Sequence, residues 1–307
     1  MKIAVLGPGA MGLFFAARLQ QAGQDVWLVD HRPERAVRLA QDGLILEELD
    51  GTSRCLPLKA GSDPVLIGPA DLNLLLVKAQ QTRRAAQALP PLLAGGGIAL
   101  TLQNGIGNLE SMAEVVGPER LLAGVTMLGV TKLGEGHIRH AGQGPVILGI
   151  PPASRVRAQE LAAVVQLFRQ AGLDCRPDQD IVTVLWQKLL INVGINPVTA
   201  LTRLANGRLP EIPGAWEVVT AAVLEAQAVG LAAGLPLPPD PVARVRQVCQ
   251  ATAANRSSML QDILNQRPTE IEALNGQIVA HGRRLGLATP VNALLTNLIK
   301  ALEESSK

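Results

Sequence analysis

This sequence has little excess of positive or negative charge, few cysteines and few long hydrophobic runs. Its 28 lysines and arginines and 26 aspartates and glutamates leave a net charge of +2, and the basic residues are scattered. Nucleic-acid-binding proteins cluster basic residues on one face, so we expect no nucleic acid partner. The apolar runs look too short to cross a bilayer, and we therefore expect no membrane partner.

The three cysteines and four histidines suggest neither a disulfide framework nor a metal site. Cys55, Cys175 and Cys249 are far apart and odd in number, which favours structural thiols in a reducing compartment. His137 and His140 are close in sequence, but no further ligand completes a set, so we expect no metal. A strand-like stretch begins at the second residue and leaves no room for a signal peptide, so a cytoplasmic location is expected.

A glycine pattern near the start is the most informative feature of the chain. Gly7, Gly9 and Gly12 follow an apolar run and open a helix-like stretch, and a second apolar run ends at Asp30. Gly7 permits a tight turn, Gly9 lets a pyrophosphate approach the backbone, and Gly12 lets the helix pack on the strand. The free N–H groups at the start of that helix suit phosphates. This pattern predicts a dinucleotide-binding βαβ unit for a nicotinamide or flavin cofactor.

The hydrophobic pattern changes once along the chain, near residue 178. Before that point, runs of strand length alternate with helical stretches or turns, which predicts a largely parallel sheet. These runs span 25–30, 43–49, 72–77, 97–102, 121–130 and 145–150, and a helix over 154–171 follows them. After a turn-rich segment at 176–180, helical periodicity covers 181–193, 216–233, 242–254, 270–285 and 293–302. The predicted fold is α/β, with an N-terminal Rossmann-type dinucleotide-binding domain (1–178) followed by an all-α substrate and dimerisation domain (179–307).

Polar residues interrupt the first helix of the second half at a regular spacing. Lys188, Asn192 and Asn196 recur every four residues and therefore share one helix face. A buried ammonium is costly unless it meets an anion or a carbonyl, so this face is a candidate site in a cleft between the two domains. A structural alternative is that Lys188 extends to solvent and the asparagines cap the helix before Pro197.

Further polar candidates each have a plain structural alternative. Ser258 lies in a run of Asn, Ser and Asp residues that is typical of a helix cap, and Thr269 also resembles a cap. Glu270 alone would be a first-turn acid that the helix dipole stabilises. Lys78 and Asn104 follow predicted strands at the edge where ligands bind in such sheets, although Asn104 with the next glycine also fits a turn.

These candidates belong to a series of short motifs that covers nearly the whole chain. In order, the motifs are Gly7-x-Gly9-x-x-Gly12, Lys78, Gln103-Asn104-Gly105-Ile106-Gly107, Trp186-Gln187-Lys188-Leu189 with Asn192 and Asn196-Pro197, Asn206-Gly207, Ser257-Ser258-Met259-Leu260-Gln261-Asp262, and Thr269-Glu270-Ile271-Glu272 with Asn275-Gly276. In order and spacing they resemble the ketopantoate reductase (2-dehydropantoate 2-reductase) family, within the 6-phosphogluconate-dehydrogenase-like group. The resemblance implies NADPH-dependent reduction of 2-dehydropantoate, a 2-keto acid, to (R)-pantoate for pantothenate and coenzyme A.

The resemblance also implies a role for each candidate. Lys188 matches the catalytic lysine that polarises and then protonates the substrate carbonyl oxygen, and Glu270 matches the glutamate that binds the substrate hydroxyl and helps orient the lysine. Ser258 would bind the substrate carboxylate. The other substrate-binding residues would be Asn192, Asn196 and Asn206. The cofactor-binding residues would be Gly7, Pro8, Gly9, Ala10, Met11, Gly12, His31, Arg32, Lys78 and Asn104.

The choice between NADPH and NADH rests on the residues after the second predicted strand. Asp30 suits a free ribose 2′-hydroxyl and therefore NADH, whereas Arg32 and Arg35 could hold the 2′-phosphate of NADPH. The resemblance favours NADPH, and NADH stays open. Two rival functions also stay open: a related reductase of another 2-keto acid, and a non-catalytic NAD(P)-sensing protein. A homodimer is compatible with apolar helix faces in the second half.

Overall fold

The computed structural model describes residues 1–305, which form two compact units. The first unit comprises Met1–Gln103 and Asn108–Ile181. The second unit comprises Asn104–Gly107 and the chain from Val182 onward. The segment Asn104–Gly107 therefore packs with the second unit, although the residues on both sides of it in the chain belong to the first.

The first unit contains twelve short strands within the described residues. They are β1 (Lys2–Leu6), β2 (Asp25–Val29), β3 (Leu44–Glu47), β4 (Ser53–Leu56), β5 (Lys59–Gly61), β6 (Leu72–Leu75), β7 (Ile98–Thr101), β8 (Leu121–Thr126), β9 (Gly129–Gly134), β10 (His137–Gly142), β11 (Val146–Gly149) and β12 (Cys175–Pro177). Eight of them form one sheet in the order β12-β11-β8-β7-β6-β1-β2-β5. Strands β5, β2, β1, β6, β7 and β8 are parallel, and β11 runs antiparallel to β8. The predicted largely parallel Rossmann-type sheet is confirmed.

Seven helices accompany the strands of the first unit. They are α1 (Ala10–Gln21), α2 (Pro33–Asp42), α3 (Pro64–Ile67), α4 (Thr82–Ala86), α5 (Leu89–Leu93), α6 (Asn108–Val116) and α7 (Ala158–Gln170). The three phenylalanines of the chain, Phe14, Phe15 and Phe168, are fully buried in one core. The rings of Phe15 and Phe168 lie 5.5 Å apart, which joins α1 to α7. Each such side chain contributes about 1.5 to 3 kcal/mol by burial, so this aromatic cluster anchors α1 and the glycine turn before it.

The predicted single strand over 121–130 was wrong. The chain turns after Thr126, whose hydroxyl accepts a hydrogen bond from the Leu128 N–H, so that β8 and β9 enter different sheets. Strand β9 belongs to a four-stranded sheet of order β4-β3-β10-β9. In that sheet His137 pairs with Glu47, and among residues 1–305 no group of three or more His, Cys, Asp or Glu side chains could hold a metal ion.

The second unit is helical, as predicted. Its helices are α8 (Ile181–Thr202, whose first residue belongs to the first unit), α9 (Pro213–Ala232), α10 (Pro241–Ala251), α11 (Ser258–Leu264), α12 (Asn275–Leu285) and α13 (Pro290–Ser305), with 3₁₀ turns at Asn206–Glu211 and Ile271–Ala273. The predicted continuous helix over 270–285 was wrong. The backbone of Leu274 adopts φ −105° and ψ −98°, which is not helical, and this break leaves Glu270 in a loop before the 3₁₀ turn.

Helix α8 runs through Pro197 to Thr202, so the alternative in which asparagines end the helix before the proline was wrong. It packs closely on α9 at Gly194, where a Cβ atom would lie 2.8 Å from Val223. The expectation that all apolar runs are too short for a bilayer was also wrong, because α8 and α9 are long and apolar enough. The most apolar segment of α8 is 61% buried inside the protein, as a core helix would be, and that of α9 is 39% buried.

Candidate functional site

Internal packing requires two of the three glycines in the turn between β1 and α1, but it does not require the third. Gly7 has φ +108°, and a Cβ there would lie 2.8 Å from Val77. A Cβ on Gly12 would collide with the Gly7 carbonyl. Gly9 is different, because its Cβ would meet only the Leu76 carbonyl, at 3.9 Å. If a pyrophosphate approaches the backbone closely, a glycine is expected at a position where internal packing does not require one. Gly9 is such a position, so the turn fits a dinucleotide.

The start of α1 adds an anion-binding end to this turn. Pro8 is buried, Gly9 is the N-cap, and no acidic residue lies in the first turn, so the N–H groups of Ala10 and Met11 suit a phosphate. Lys132 of β9 brings its ammonium to 3.4 Å from the Pro8 carbonyl. Sequence reasoning missed this lysine, because the predicted strand ended at residue 130 and Lys132 lay in no predicted element. Lys78 is partly buried after β6, in the same unit.

The residues after β2 form an ion pair, Asp30 with Arg35, beside the exposed residues His31 and Arg32. Asp30 is buried, and its carboxylate accepts hydrogen bonds from the Arg35 guanidinium, at two nitrogens, and from the Arg32 N–H. Burial alone would raise the pKa of Asp30, but these hydrogen bonds and the Arg35 charge lower the pKa below its usual value. Arg35 is therefore committed to Asp30. His31 and Arg32 are exposed at the same strand end.

Lys188 lies on α8 of the second unit and is partly buried. Desolvation by burial lowers the pKa of Lys188 to about 8, although the negative charge of Glu270 opposes this shift. An ammonium with that pKa is mostly protonated at pH 7 yet gives up its proton easily. Such groups are typical of proton donors in enzymes.

Glu270 is held close to Asn104 by the fold of the second unit. The Asn104 side-chain amide donates a hydrogen bond to the Glu270 carboxylate at 3.3 Å. The next residue, Gly105, has φ +80°, and a Cβ there would collide with the Ala273 carbonyl. The Ile106 N–H donates to that same carbonyl at 3.1 Å. Only glycine fits this docking, so the Asn104-Gly105 turn positions Asn104 against the loop that carries Glu270.

The loop that carries Glu270 is fixed from both sides. The Thr269 hydroxyl accepts a hydrogen bond from the Ile271 N–H, although the N-cap residue of the 3₁₀ turn is Glu270 and not Thr269. The Thr269 N–H donates to Glu303 of α13 at 2.6 Å. Glu303 had no sequence signal, because it lies 34 residues away on another helix.

The remaining predicted site residues occupy different settings. Asn192 is partly buried and Asn196 is buried, both on α8 with Lys188. Asn206 is buried, and its amide donates to Thr252, while its own N–H donates to the Asn255 carbonyl, so it also fixes the 3₁₀ turn against α10. Ser257, not Ser258, caps α11 by accepting from the Leu260 N–H, and Ser258 is exposed.

The glycine turn of the first unit and, in the second unit, a lysine whose pKa is influenced by a carboxylate are features typical of NAD(P)H-dependent oxidoreductases. The comparisons specify the family. Residues 3–153 match the family described as Ketopantoate reductase PanE/ApbA, and residues 180–303 match its C-terminal domain, so the chain belongs to this family.

Individual relatives match this chain over nearly its full length. A 2-dehydropantoate 2-reductase of Halobacterium salinarum is 36% identical over 303 residues, covering 98% of both chains. A PanE/ApbA family ketopantoate reductase from Ralstonia eutropha has a TM-score of 0.89 and 31% identity, covering 100% of this chain and 99% of that one. A D-mandelate dehydrogenase solved with NADH and anilino(oxo)acetate has a TM-score of 0.92 and 28% identity, with the same coverage.

Proposed function

We propose that this protein is a 2-dehydropantoate 2-reductase that uses NADPH to form (R)-pantoate for pantothenate and coenzyme A. The observation that carries the proposal concerns Lys188 on the apolar helix α8. The pKa of the Lys188 ammonium is lowered to about 8, and its charge interacts with Glu270. The family membership and the curated relatives support the substrate. An NAD(P)-sensing protein without turnover would have no use for such a group.

Lys188 does the acid work of the reaction. Bound NADPH supplies the hydride that reduces the keto carbon. As negative charge builds on the carbonyl oxygen, the Lys188 ammonium stabilises it and then transfers a proton to it. A pKa near 8 suits this task, because the donor is mostly charged at pH 7 and its conjugate amine can be reprotonated from water.

The neighbouring polar residues position the substrate. Glu270 accepts a hydrogen bond from the substrate 4-hydroxyl and holds the charge of Lys188 in place, with its own carboxylate fixed by Asn104. Ser258 donates to the substrate carboxylate. Asn192, Asn196 and Asn206 complete the polar lining. A site that binds a hydroxyl rejects analogues without it, because its acceptor is then left without a partner.

The arrangement after β2 supports NADPH over NADH. In an NADH enzyme, a free Asp accepts the ribose 2′-hydroxyl, but here both oxygens of Asp30 already accept hydrogen bonds, from Arg35 and from the Arg32 N–H. Arg32 and His31 are exposed and suit a 2′-phosphate, whereas Arg35 is committed to Asp30. Gly7, Gly9, Gly12 and the N–H groups of the first turn of α1 would hold the pyrophosphate, with Lys78 and Lys132 as further cations.

A second candidate function is reduction of another 2-keto acid. The D-mandelate dehydrogenase with NADH and anilino(oxo)acetate, at a TM-score of 0.92, favours it. An aryl-substituted keto acid has no 4-hydroxyl, so Glu270 would then lack its substrate partner. The two functions therefore differ in what Glu270 does.

One kinetic panel separates these proposals. The purified protein would be assayed with 2-dehydropantoate, with 3-methyl-2-oxobutanoate, which lacks the hydroxymethyl group, and with phenylglyoxylate, each with NADPH and with NADH. We expect the largest kcat/KM for 2-dehydropantoate with NADPH. A larger value for phenylglyoxylate would support the second candidate, and tight NADPH binding without turnover of any keto acid would support the sensing protein.

Three further expectations of the sequence stay predictions. We infer that residues 1–178 form the cofactor domain and 179–307 the substrate domain, and that the protein is cytoplasmic. A homodimer is supported by exposed apolar side chains on α9 and α13, including Val218, Leu294 and Leu298. Sedimentation equilibrium would test it, and a monomer at micromolar concentration would overturn it.

A further inference from the structure

Pro197 creates a hydrogen-bonding problem inside α8. In an α-helix each carbonyl accepts from the N–H four residues later, and proline has no N–H. The carbonyl of Val193 therefore lacks its usual N–H partner four residues later in the helix. Val193 is fully buried, so water cannot supply one. A buried carbonyl without a donor destabilises the fold and favours bending or fraying of the helix at this point.

Asn275 solves this problem from another helix. It is the first residue of α12 and is fully buried, and its side-chain amide nitrogen donates a hydrogen bond to the Val193 carbonyl at 3.0 Å. The same nitrogen donates its second hydrogen to the Oδ1 atom of Asn292, also at 3.0 Å. The Asn275 side chain thus replaces the N–H that Pro197 lacks.

The neighbours leave the Asn275 amide only one workable orientation. Asn292 is fully buried, and its amide nitrogen donates to the Ala222 carbonyl and to Glu225, so its Oδ1 atom must face Asn275. If the Asn275 amide were reversed, its oxygen would meet two acceptors, the Val193 carbonyl and Asn292 Oδ1. The donor therefore points to Val193.

Glu225 anchors this chain of hydrogen bonds. Its two carboxylate oxygens accept from the N–H groups of Val291 and Asn292, at 2.9 Å and 3.0 Å, in the first turn of α13. A carboxylate at the start of a helix is also favoured by the helix dipole. Through Glu225, Asn292 and Asn275, helices α9, α13 and α12 are all tied to the middle of α8.

The hydrogen bond from Asn275 lies in the helical turn Val193–Pro197, next to the proposed substrate-binding residues. Val193 lies directly after Asn192, and the turn that lacks its hydrogen bond ends at Pro197, directly after Asn196. The mechanism above uses Lys188, Asn192 and Asn196 on one continuous helix face. A bend at Val193 would move Asn196 relative to Lys188 without touching either residue.

We propose that Asn275 is a positioning residue, which donates to the Val193 carbonyl in place of the N–H that Pro197 lacks and so holds Asn196 in line with Lys188 and Asn192. The kinetic part of this inference rests on the proposed function. The hydrogen-bonding part does not, because it concerns only Asn275, Pro197 and Val193. The two parts therefore need separate readouts.

A double-mutant cycle tests both parts. Asn275→Leu removes the donor at similar size, and Pro197→Ala restores a backbone N–H at that position. We expect Asn275→Leu to raise KM for 2-dehydropantoate by about 10-fold to 100-fold, with unchanged affinity for NADPH. A purely structural role would instead lower the active fraction, and so kcat, with KM unchanged. In the Pro197→Ala background the same substitution should raise KM by less than about threefold.

Urea unfolding of the same four proteins tests the hydrogen bond independently of activity. The loss of stability from Asn275→Leu should be smaller in the Pro197→Ala background. Asn73→Leu is the matched control, because Asn73 is also fully buried and donates to two backbone carbonyls, but in the first unit. Its effect should be the same with and without the Pro197→Ala substitution.

Each outcome decides one part. Additive losses of stability would overturn the hydrogen-bond repair. If the losses of stability from Asn275→Leu and Pro197→Ala are not additive but KM is unchanged, the positioning role would be overturned. If Asn275→Leu is insoluble alone, recovery of soluble enzyme by Pro197→Ala would support the repair, and failure to recover it would contradict the repair. A wild-type protein without activity on 2-dehydropantoate would count against the proposed function only.

Discussion

Asp30 in the first unit is buried and Lys188 in the second is partly buried, and the structure favours the charged form of Asp30 but disfavours the charged form of Lys188. Asp30 is surrounded by hydrogen-bond donors, and its pKa is lowered, so its charge is fully stabilised. For Lys188, burial lowers the pKa to about 8, although the Glu270 charge raises it. The first arrangement stabilises a fixed charge, whereas the second keeps a proton ready to leave.

The largest expected effect comes from removing the reactive charge. Lys188→Met should lower kcat by roughly 10²-fold to 10⁴-fold, because the proton donor and the charge that stabilises the carbonyl oxygen are both lost. Affinity for NADPH should change little. Steady-state kinetics and a fluorescence titration of NADPH measure the two quantities, and near-normal turnover would remove Lys188 from the mechanism.

The same variant should be more stable than the wild type. The pKa of Lys188 in the folded protein lies below its usual value of 10.5. The charge on Lys188 therefore lowers the free energy of unfolding at any pH below about 8. That cost, up to ~3 kcal/mol, is relieved as the pH rises from 8 towards 10.5. The Tm of Lys188→Met should therefore exceed that of the wild type at pH 7, with a difference that shrinks at higher pH.

Breaking the Asp30 pair should have the opposite consequence for stability. Arg35→Met leaves the buried Asp30 carboxylate without its charged partner, and such changes cost about 3 to 5 kcal/mol. Urea unfolding would measure the loss, and adding Asp30→Asn should recover part of it. Because the folded pKa of Asp30 is lowered, the stability it contributes in the wild type is present at neutral pH and is lost as acid protonates the carboxylate.

The exposed cation beside this pair should matter only for the cofactor. Arg32→Ala should weaken NADPH binding by about 10-fold to 100-fold, since a charge-assisted contact contributes about 1.5 to 3 kcal/mol. NADH binding and stability should barely change. A titration with both cofactors checks this, and an equal loss for NADH would place the 2′-phosphate elsewhere, with Lys78 or Lys132 as the next candidates.

The smallest effect concerns the support of the Glu270 loop. Glu303→Ala removes the acceptor for the Thr269 N–H and should lower kcat/KM for 2-dehydropantoate by about 2-fold to 10-fold, the value of one hydrogen bond. Glu303→Gln keeps an oxygen acceptor and should restore most of the activity. Glu304→Ala, an exposed neighbour on the same helix, is the control and should have no effect.

Short-range patterns in the sequence were sufficient for much of this account. The glycine spacing predicted the tight turn between β1 and α1, because backbone conformation there depends on neighbouring residues. The four-residue spacing predicted that Lys188, Asn192 and Asn196 share a face of α8, because helical geometry fixes it.

Contacts between distant residues could not be predicted in the same way. The pairing of Asn275 with Val193 depends on how α12 packs on α8, and the docking of Gly105 on Ala273 joins residues far apart in the chain. The separation of β8 from β9 was hidden because both segments are apolar. Local propensity carries no information on any of these features.

The pH dependence of kcat/KM for 2-dehydropantoate at saturating NADPH tests the central claim, that Lys188 is a proton donor with its pKa lowered by burial. We expect kcat/KM to be level below about pH 8 and to fall about tenfold per pH unit above it. Because the Glu270 charge raises the pKa of Lys188, Glu270→Gln should move this fall to lower pH. A profile that stays level to about pH 10 in both proteins would contradict the account.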